Sequence, residues 1–373
     1  MARKTAASTG GYGKPVALVL QGGGALGSYQ AGVYQALHEA AHEPAWVAGI
    51  SIGAINAAII AGNAPSERTA KLREFWEAIT APSAHWPELP SPWGDFLDRH
   101  MGASSALLFG QPGFFAPVPM WRMHASTSAY DTAPLRETLE RLVDFDRINA
   151  GVTRLSVGAV QVSTGNMVWF DNRHHKLAPE HVMASGALPP GFPPVEVEGE
   201  LYWDGGLVSN TPLFHVLNDY PRESLLAFQV DLFPARGNLP ATLDEAMERA
   251  KEIQYSSRTR AGTDSFRKLH DLRFALDALI ASLTEAQKAT PEGRYLAELT
   301  CETSMDIVHL IYRPDAAQGS SKDYQFSRTT MRDRWARGMA DAATTLAAAP
   351  WLRPAPPMAG VRVFDVLRES PPQ

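Results

Sequence analysis

The sequence predicts an α/β fold, a sandwich of helices around a substantially parallel central sheet. Two observations predict it. An apolar, β-branched run at residues 16–20 passes through the glycine turn Gly22-Gly23-Gly24-Ala25-Leu26-Gly27 into residues 28–41, which carry apolar or small side chains at helical spacing. A second run, residues 45–48, passes through Gly49-Ile50-Ser51-Ile52-Gly53 into the uncharged, alanine- and isoleucine-rich residues 54–61. Successive strand–turn–helix units are crossover connections, which join parallel strands. The chain can fill such a fold, since 373 residues with 45% apolar and 20% charged content bury a large core.

Each element follows in order. Ser28 is placed to cap the first helix, and residues 54–61 read as a buried helix behind the second turn. Residues 67–79 form an amphipathic helix that ends where prolines begin. From 81 to 130 the pattern breaks: seven prolines, three tryptophans and the run LLFGQPGFFAPVPMW at 107–121 show neither helical nor strand periodicity. That insertion reads either as a lid and acyl-chain wall that also meets a membrane interface, or as a loop packed over the core. A helix opens at Thr132, and residues 152–162 and 167–171 are strands joined by Ser163-Thr164-Gly165-Asn166. Residues 179–186 form a short helix. A second hairpin, 195–197 and 201–203, delivers Asp204-Gly205-Gly206 at a strand end, and 224–232 is the last strong strand of the core.

Beyond residue 234 the pattern becomes mainly helical, at 243–260, 265–283 and from 291 onward, with a strand at 306–312 and a helix at 327–348. The chain is therefore divided into a leader (1–13), a core (14–233) holding the 81–130 insertion, and a C-terminal extension (234–373) packed on the core. The leader has basic residues but no apolar segment, and is expected to be disordered. No run is apolar enough to span a bilayer, so contact with lipid is expected to be peripheral and the location cytoplasmic. A net charge of -6 argues against a nucleic-acid-binding protein. The single cysteine, Cys301, excludes an internal disulfide and reads as a small buried residue. Arg328, Arg332, Arg334 and Arg337 read as a solvated helix face.

The chemistry concentrates in the two turns. Gly49-x-Ser51-x-Gly53 has the spacing of a nucleophile elbow, where small neighbours let a serine sit on a strained strand-to-helix turn. The loop holding Gly22, Gly23, Gly24 and Ala25, closed by Gly27, leaves backbone N–H groups at a helix start, where an oxyanion is held. A serine hydroxyl needs a base. Asp204, followed by Gly205 and Gly206, offers a carboxylate at the carboxyl edge of the sheet, whereas a Ser-His-Asp triad would draw on His215, His270 or His309. Gly22-x-Gly24-x-x-Gly27 also fits a dinucleotide-binding fingerprint, but Glu39 and Glu43 precede the second strand instead of ending it. His174, His175 and His181 lack a second ligand cluster, so no metal site is expected.

Taken together and in order, the three motifs resemble those of the patatin-like phospholipase family, with coverage from about residue 14 to 231. Asn56-Ala57 after the elbow, Ala184-Ser185 with Pro189, Phe192 and Pro194, and Asn210-Thr211-Pro212 match as well. The resemblance implies a three-layer α/β/α sandwich and a lipid acyl hydrolase working through a Ser-Asp dyad without cofactor. It maps Ser51 to the nucleophile, Asp204 to the base and the Gly22–Gly27 loop to the oxyanion hole. The implied partner is a lipid or other hydrophobic ester. Many members carry a basic residue just before the last glycine of the first loop, where this chain has Leu26. That departure removes a phosphate contact, and neutral lipids or polyesters stand as the alternative substrates.

Overall fold

The computed structural model describes residues 13–80, 106–256, 259–301, 303–314, 319–356 and 359–369. The expected leader and residues 81–105 of the insertion lie outside the described residues. Nine described strands form one mixed sheet. They are β1 (Val16–Leu20), β2 (Pro44–Gly49), β3 (Arg154–Gln161), β4 (Met167–Asp171), β5 (Val195–Val197), β6 (Glu200–Asp204), β7 (Leu225–Asp231), β8 (Met305–Ile311) and β9 (Val361–Phe364). Their order is β9-β8-β7-β1-β2-β3-β6-β5, with β4 paired to β3. The pairs from β9 through to β3 are parallel, while the hairpin partners β4, β5 and β6 run antiparallel.

Alternation along β1 separates two cores. Val16, Leu18 and Leu20 enter the larger cluster with α1 (Ser28–Glu39), α2 (Ile52–Ala61) and α3 (Pro65–Ile79), whereas Ala17 and Val19 enter a smaller one with Leu213, Phe266 and Ile307. Both faces of the sheet are thus covered by helices, as a buried parallel sheet requires. The remaining long helices are α4 (Ala133–Leu142), α5 (Pro179–Ser185), α6 (Leu243–Tyr255), α7 (Thr259–Ala281), α8 (Pro291–Leu299) and α9 (Arg328–Ala348).

Register brings the two glycine turns together. Leu20, the last residue of β1, pairs with Gly49, the last of β2, so both turns leave the sheet side by side. Asp204 closes β6 opposite Ala159 of the next strand inward.

Several sequence expectations require correction. Ser28 does not cap α1: a 3-10 turn at Gly24–Gly27 runs directly into the helix, and the Ser28 hydroxyl donates to the Ala25 carbonyl at 3.3 Å. The helix expected over 243–260 stops at Tyr255, and a separate helix starts at Thr259. The proline-rich tail hides β9, which pairs with β8, so the mainly helical extension also supplies two parallel strands to the sheet. Arg334 is not on a solvated face. It is buried and donates to the carbonyls of Gln325 and Lys322 at 3.2 and 2.9 Å.

The long helix α9 packs along α1 through two glycines. A Cβ at Gly32 would fall 2.0 Å from the Trp335 carbonyl oxygen, and one at Gly338 would fall 2.1 Å from that of Tyr29. Polar contacts flank this crossing: Tyr29 donates to Asp341 at 2.9 Å and the Trp335 indole to Gln35 at 2.8 Å.

Candidate active site

The turn after β2 places Ser51 at φ 55° and ψ −126°, a left-handed conformation that an L side chain adopts only under constraint. The constraint is visible. The Ser51 N–H donates to both the carbonyl and the hydroxyl of Ser185 at 3.1 Å, and Ile50 N–H donates to the Leu20 carbonyl at 3.2 Å. The flanking glycines are sterically required: a Cβ on Gly49 would meet the Gly53 carbonyl oxygen at 2.3 Å, and one on Gly53 would meet that of Leu20 at 2.4 Å. Behind Ser51 starts α2, buried along its whole length, so the positive end of its dipole faces the hydroxyl.

Asp204 is 2% exposed and accepts the Gly206 N–H at 2.7 Å. Its own N–H is held by the Ala187 carbonyl at 3.0 Å, and Gly205 lies so close to the Gly158 carbonyl that a Cβ would approach to 2.6 Å. Burial pushes the Asp204 carboxyl up to about 7, and the Gly206 N–H and the nearby Ser51 hydroxyl hold it from rising further. The structure therefore brings Ser51 and Asp204 to the wall of one cavity.

The first glycine loop lies against both. Gly22, Gly23 and Gly24 line the same cavity as Ser51 and Asp204, while Ala25 is buried in the turn behind them. Gly23, Gly24 and Ala25 stand at the start of the 3-10 turn, where N–H groups have no acceptor within the turn. Gly22 departs from the expected set: its N–H is given to the Asn210 carbonyl at 3.1 Å, so it is already used. Its role is spatial, since a Cβ there would fall 2.4 Å from Asn210 Oδ1 and 3.0 Å from Ser51 Cβ. Gly27 and Gly206 serve close packing in the same way, against Ile52 and against Asn210 and Asp204.

The cavity has a volume of about 530 Å³. Phe114, Phe115, Phe192, Phe233 and Phe326 wall it, the first three and Phe326 forming one cluster of ring contacts with Tyr130. Phe114 and Phe115 pack inward as a wall, whereas Leu108, Phe109, Met120 and Trp121 are exposed.

Sequence reasoning missed several residues of this site. Gln21, fully buried, accepts the N–H groups of Leu232 and Phe233 at 2.6 and 2.9 Å and donates to Thr211 Oγ1 and the Tyr255 carbonyl. Tyr255, Asp323, Tyr324 and Phe326 reach the cavity from the C-terminal extension. No local pattern marks them, because their positions are set by packing across the fold.

The histidines lie elsewhere. His215 stacks on Trp169 at 4.3 Å between ring centres, with Nε2 3.9 Å from Asp171. His270 sits by Thr303 and the buried Cys301, and His309 lies on β8; none of the three lines the cavity. Among the described residues no group of three or more His, Cys, Asp or Glu side chains is placed to hold a metal ion.

The sequence model of the patatin-like phospholipase family matches residues 18–217, more than half of the chain. The chain belongs to the patatin-like phospholipase family. A second family model, described as patatin phospholipase, matches residues 253–358 of this patatin-like protein. Membership makes it a lipid hydrolase acting on ester bonds. No curated protein matches the chain. Among solved structures, VipD from Legionella pneumophila is similar at 14% identity, over 90% of this chain and 67% of that one, with a TM-score of 0.38. The type III effector protein ExoU is similar at 14% identity, over 90% and 53% of the two chains, with a TM-score of 0.32. Full-length SpcU in complex with full-length ExoU from the type III secretion system of Pseudomonas aeruginosa gives 16% identity, 76% and 60% coverage, and a TM-score of 0.29. This patatin-like protein spans about half to two-thirds of those structures' lengths.

Proposed function

We propose that this protein cleaves carboxylic esters of lipids through an acyl-enzyme, with Ser51 as nucleophile and Asp204 as its base. The observation that carries this reading is a serine on a strained strand-to-helix turn sharing one cavity with a buried carboxylate, which burial raises to about 7. A base of that strength accepts a serine proton far more readily than an ordinary aspartate does. Ser51 Oγ attacks the acyl carbonyl as Asp204 takes its proton. The N–H groups of Gly23, Gly24 and Ala25 hold the developing oxyanion, and each such donor contributes on the order of 3 kcal/mol to transition-state stabilisation. Asp204 then returns the proton to the departing alcohol, and water activated by the same carboxylate releases the acid. The phenylalanine wall accommodates the acyl chain.

Residues 14–233 form the catalytic core in this reading, and residues 234–373 complete it. Among the described residues no helix is long and apolar enough to cross a membrane. The exposed Leu108, Phe109, Met120 and Trp121 flank cavity-lining segments and suit contact with a lipid surface from a cytoplasmic protein. The test is labelling with a fluorophosphonate probe followed by hydrolysis of p-nitrophenyl esters of graded length. Wild type should label and turn over, Ser51→Ala should do neither, and Asp204→Asn should lose turnover. A wild-type protein that neither labels nor cleaves any ester of the series refutes the proposal.

A further inference from the structure

The segment at 319–326 lies like a strap across the first glycine loop. The Asp323 carbonyl oxygen comes within 2.4 Å of where a Gly24 Cβ would stand, and Asp323 Cβ lies 3.6 Å from the same point. Gly24 has φ +54°, so this approach exists because the position is a glycine. The strap is held in place by charge. Lys322, 1% exposed, places Nζ 2.9 Å from Glu248 and 2.6 Å from Glu252, and Arg334 grips the Lys322 and Gln325 carbonyls. Lys251 pairs with Asp323 Oδ1 at 2.5 Å, donates to the Ser320 carbonyl at 3.2 Å and lies over the Tyr324 ring.

Among the described residues no Lys, Arg or His lines the cavity. The charged side chains that line it among the described residues are Asp204 and Asp323, both carboxylic. The neighbouring cations are engaged, Lys251 with Asp323 and Ser320 and Lys322 with two glutamates. Tyr324, also on the lining, is pushed up to about 12 by burial first and then by the negative charge of Asp323, with smaller contributions from Tyr255, Tyr130 and Asp204. In a glycerophospholipid the phosphate is only a few covalent bonds from the scissile ester. It therefore cannot stand far from Asp204 and the strap when that ester meets Ser51. An anion desolvated beside carboxylates, with its candidate partners already paired, is strongly disfavoured.

We infer that Asp323 is a specificity-determining residue that directs this enzyme to uncharged esters and against anionic phospholipids. The inference rests on the hydrolase reading above and adds the substrate class. The test compares two monomeric short-chain esters with identical acyl groups, dihexanoylglycerol and dihexanoylphosphatidylglycerol, on the full chain. Wild type should show kcat/KM at least about tenfold higher for the neutral ester, because juxtaposed like charges are costly at a binding site. Asp323→Asn should raise the anionic-to-neutral ratio about tenfold, and Asp323→Glu should keep it near the wild-type value. A structural role for Asp323 would lower both rates together and leave the ratio unmoved, which overturns the inference. So does a wild type that cleaves the anionic ester as fast as the neutral one, a result independent of how the variants fold. A wild type that labels with fluorophosphonate yet prefers the anionic ester removes this inference alone, whereas one that neither labels nor cleaves removes the hydrolase reading with it.

Discussion

Asp204→Asn should make the protein more stable while stopping catalysis, and the gain should depend on pH. In the unfolded chain an aspartate titrates near 3.8, whereas in the fold burial moves Asp204 to about 7. The folded state therefore holds the proton more tightly, and stability from this group falls as pH rises between those two values. At about 1.4 kcal/mol for each tenfold change in proton affinity, the full cost above pH 7 is about 4 kcal/mol. The same relation makes the cost at pH 5 less than half of that at pH 8.5. Asparagine keeps the shape and the acceptor for Gly206 N–H but carries no titratable proton. Urea unfolding of wild type and Asp204→Asn at these two pH values should show the variant's advantage growing by about 3 kcal/mol. In parallel, wild-type kcat/KM should rise through about pH 7 as the base ionises, and the variant should lose roughly 100-fold or more. An advantage that is equal at both pH values would show that Asp204 titrates as an ordinary carboxylate, and the argument for its basicity would fail.

Three further outcomes follow from the geometry. Gly22→Ala should cut kcat by about 100-fold, because its Cβ has no room beside Asn210 Oδ1 and Ser51 and must displace one of them; ester hydrolysis alongside a melting curve separates this from unfolding. Gly338→Ala should destabilise by about 3 kcal/mol without altering KM, since it forces apart a close contact of α1 and α9; urea unfolding reads the loss. His215→Ala should keep ester turnover within about twofold while removing the stack on Trp169, at a cost of about 1 kcal/mol in stability. A large fall in kcat for that variant would revive a histidine-containing triad.

Most of the fold was legible because the decisive signals are local. The runs at β1, β2 and β7 are mainly apolar, and the glycines at 22, 24, 49 and 53 stand where a side chain would strike backbone or the residues beside it. Three of the places where the reading failed share one feature, dependence on distant partners. β9 is a short edge strand amid prolines, recognisable only by its pairing with β8. Arg334 has the sequence context of an exposed helical arginine, and the strap that buries it comes from an earlier, patternless segment. Gly22 belongs to the motif, yet its N–H is consumed by a carbonyl contributed near the other end of the core.

By itself the sequence determined the α/β class, the parallel core of the sheet, and the serine and aspartate worth testing, since tight turns impose residue types at fixed spacing. Only the tertiary structure decided that Ser51 and Asp204 line one cavity, that Asp204 is buried, and that Asp323 reaches the same cavity. Those properties arise from burial and from contacts between residues far apart in the chain. Water exclusion and long-range approach leave no periodic trace in the order of amino acids.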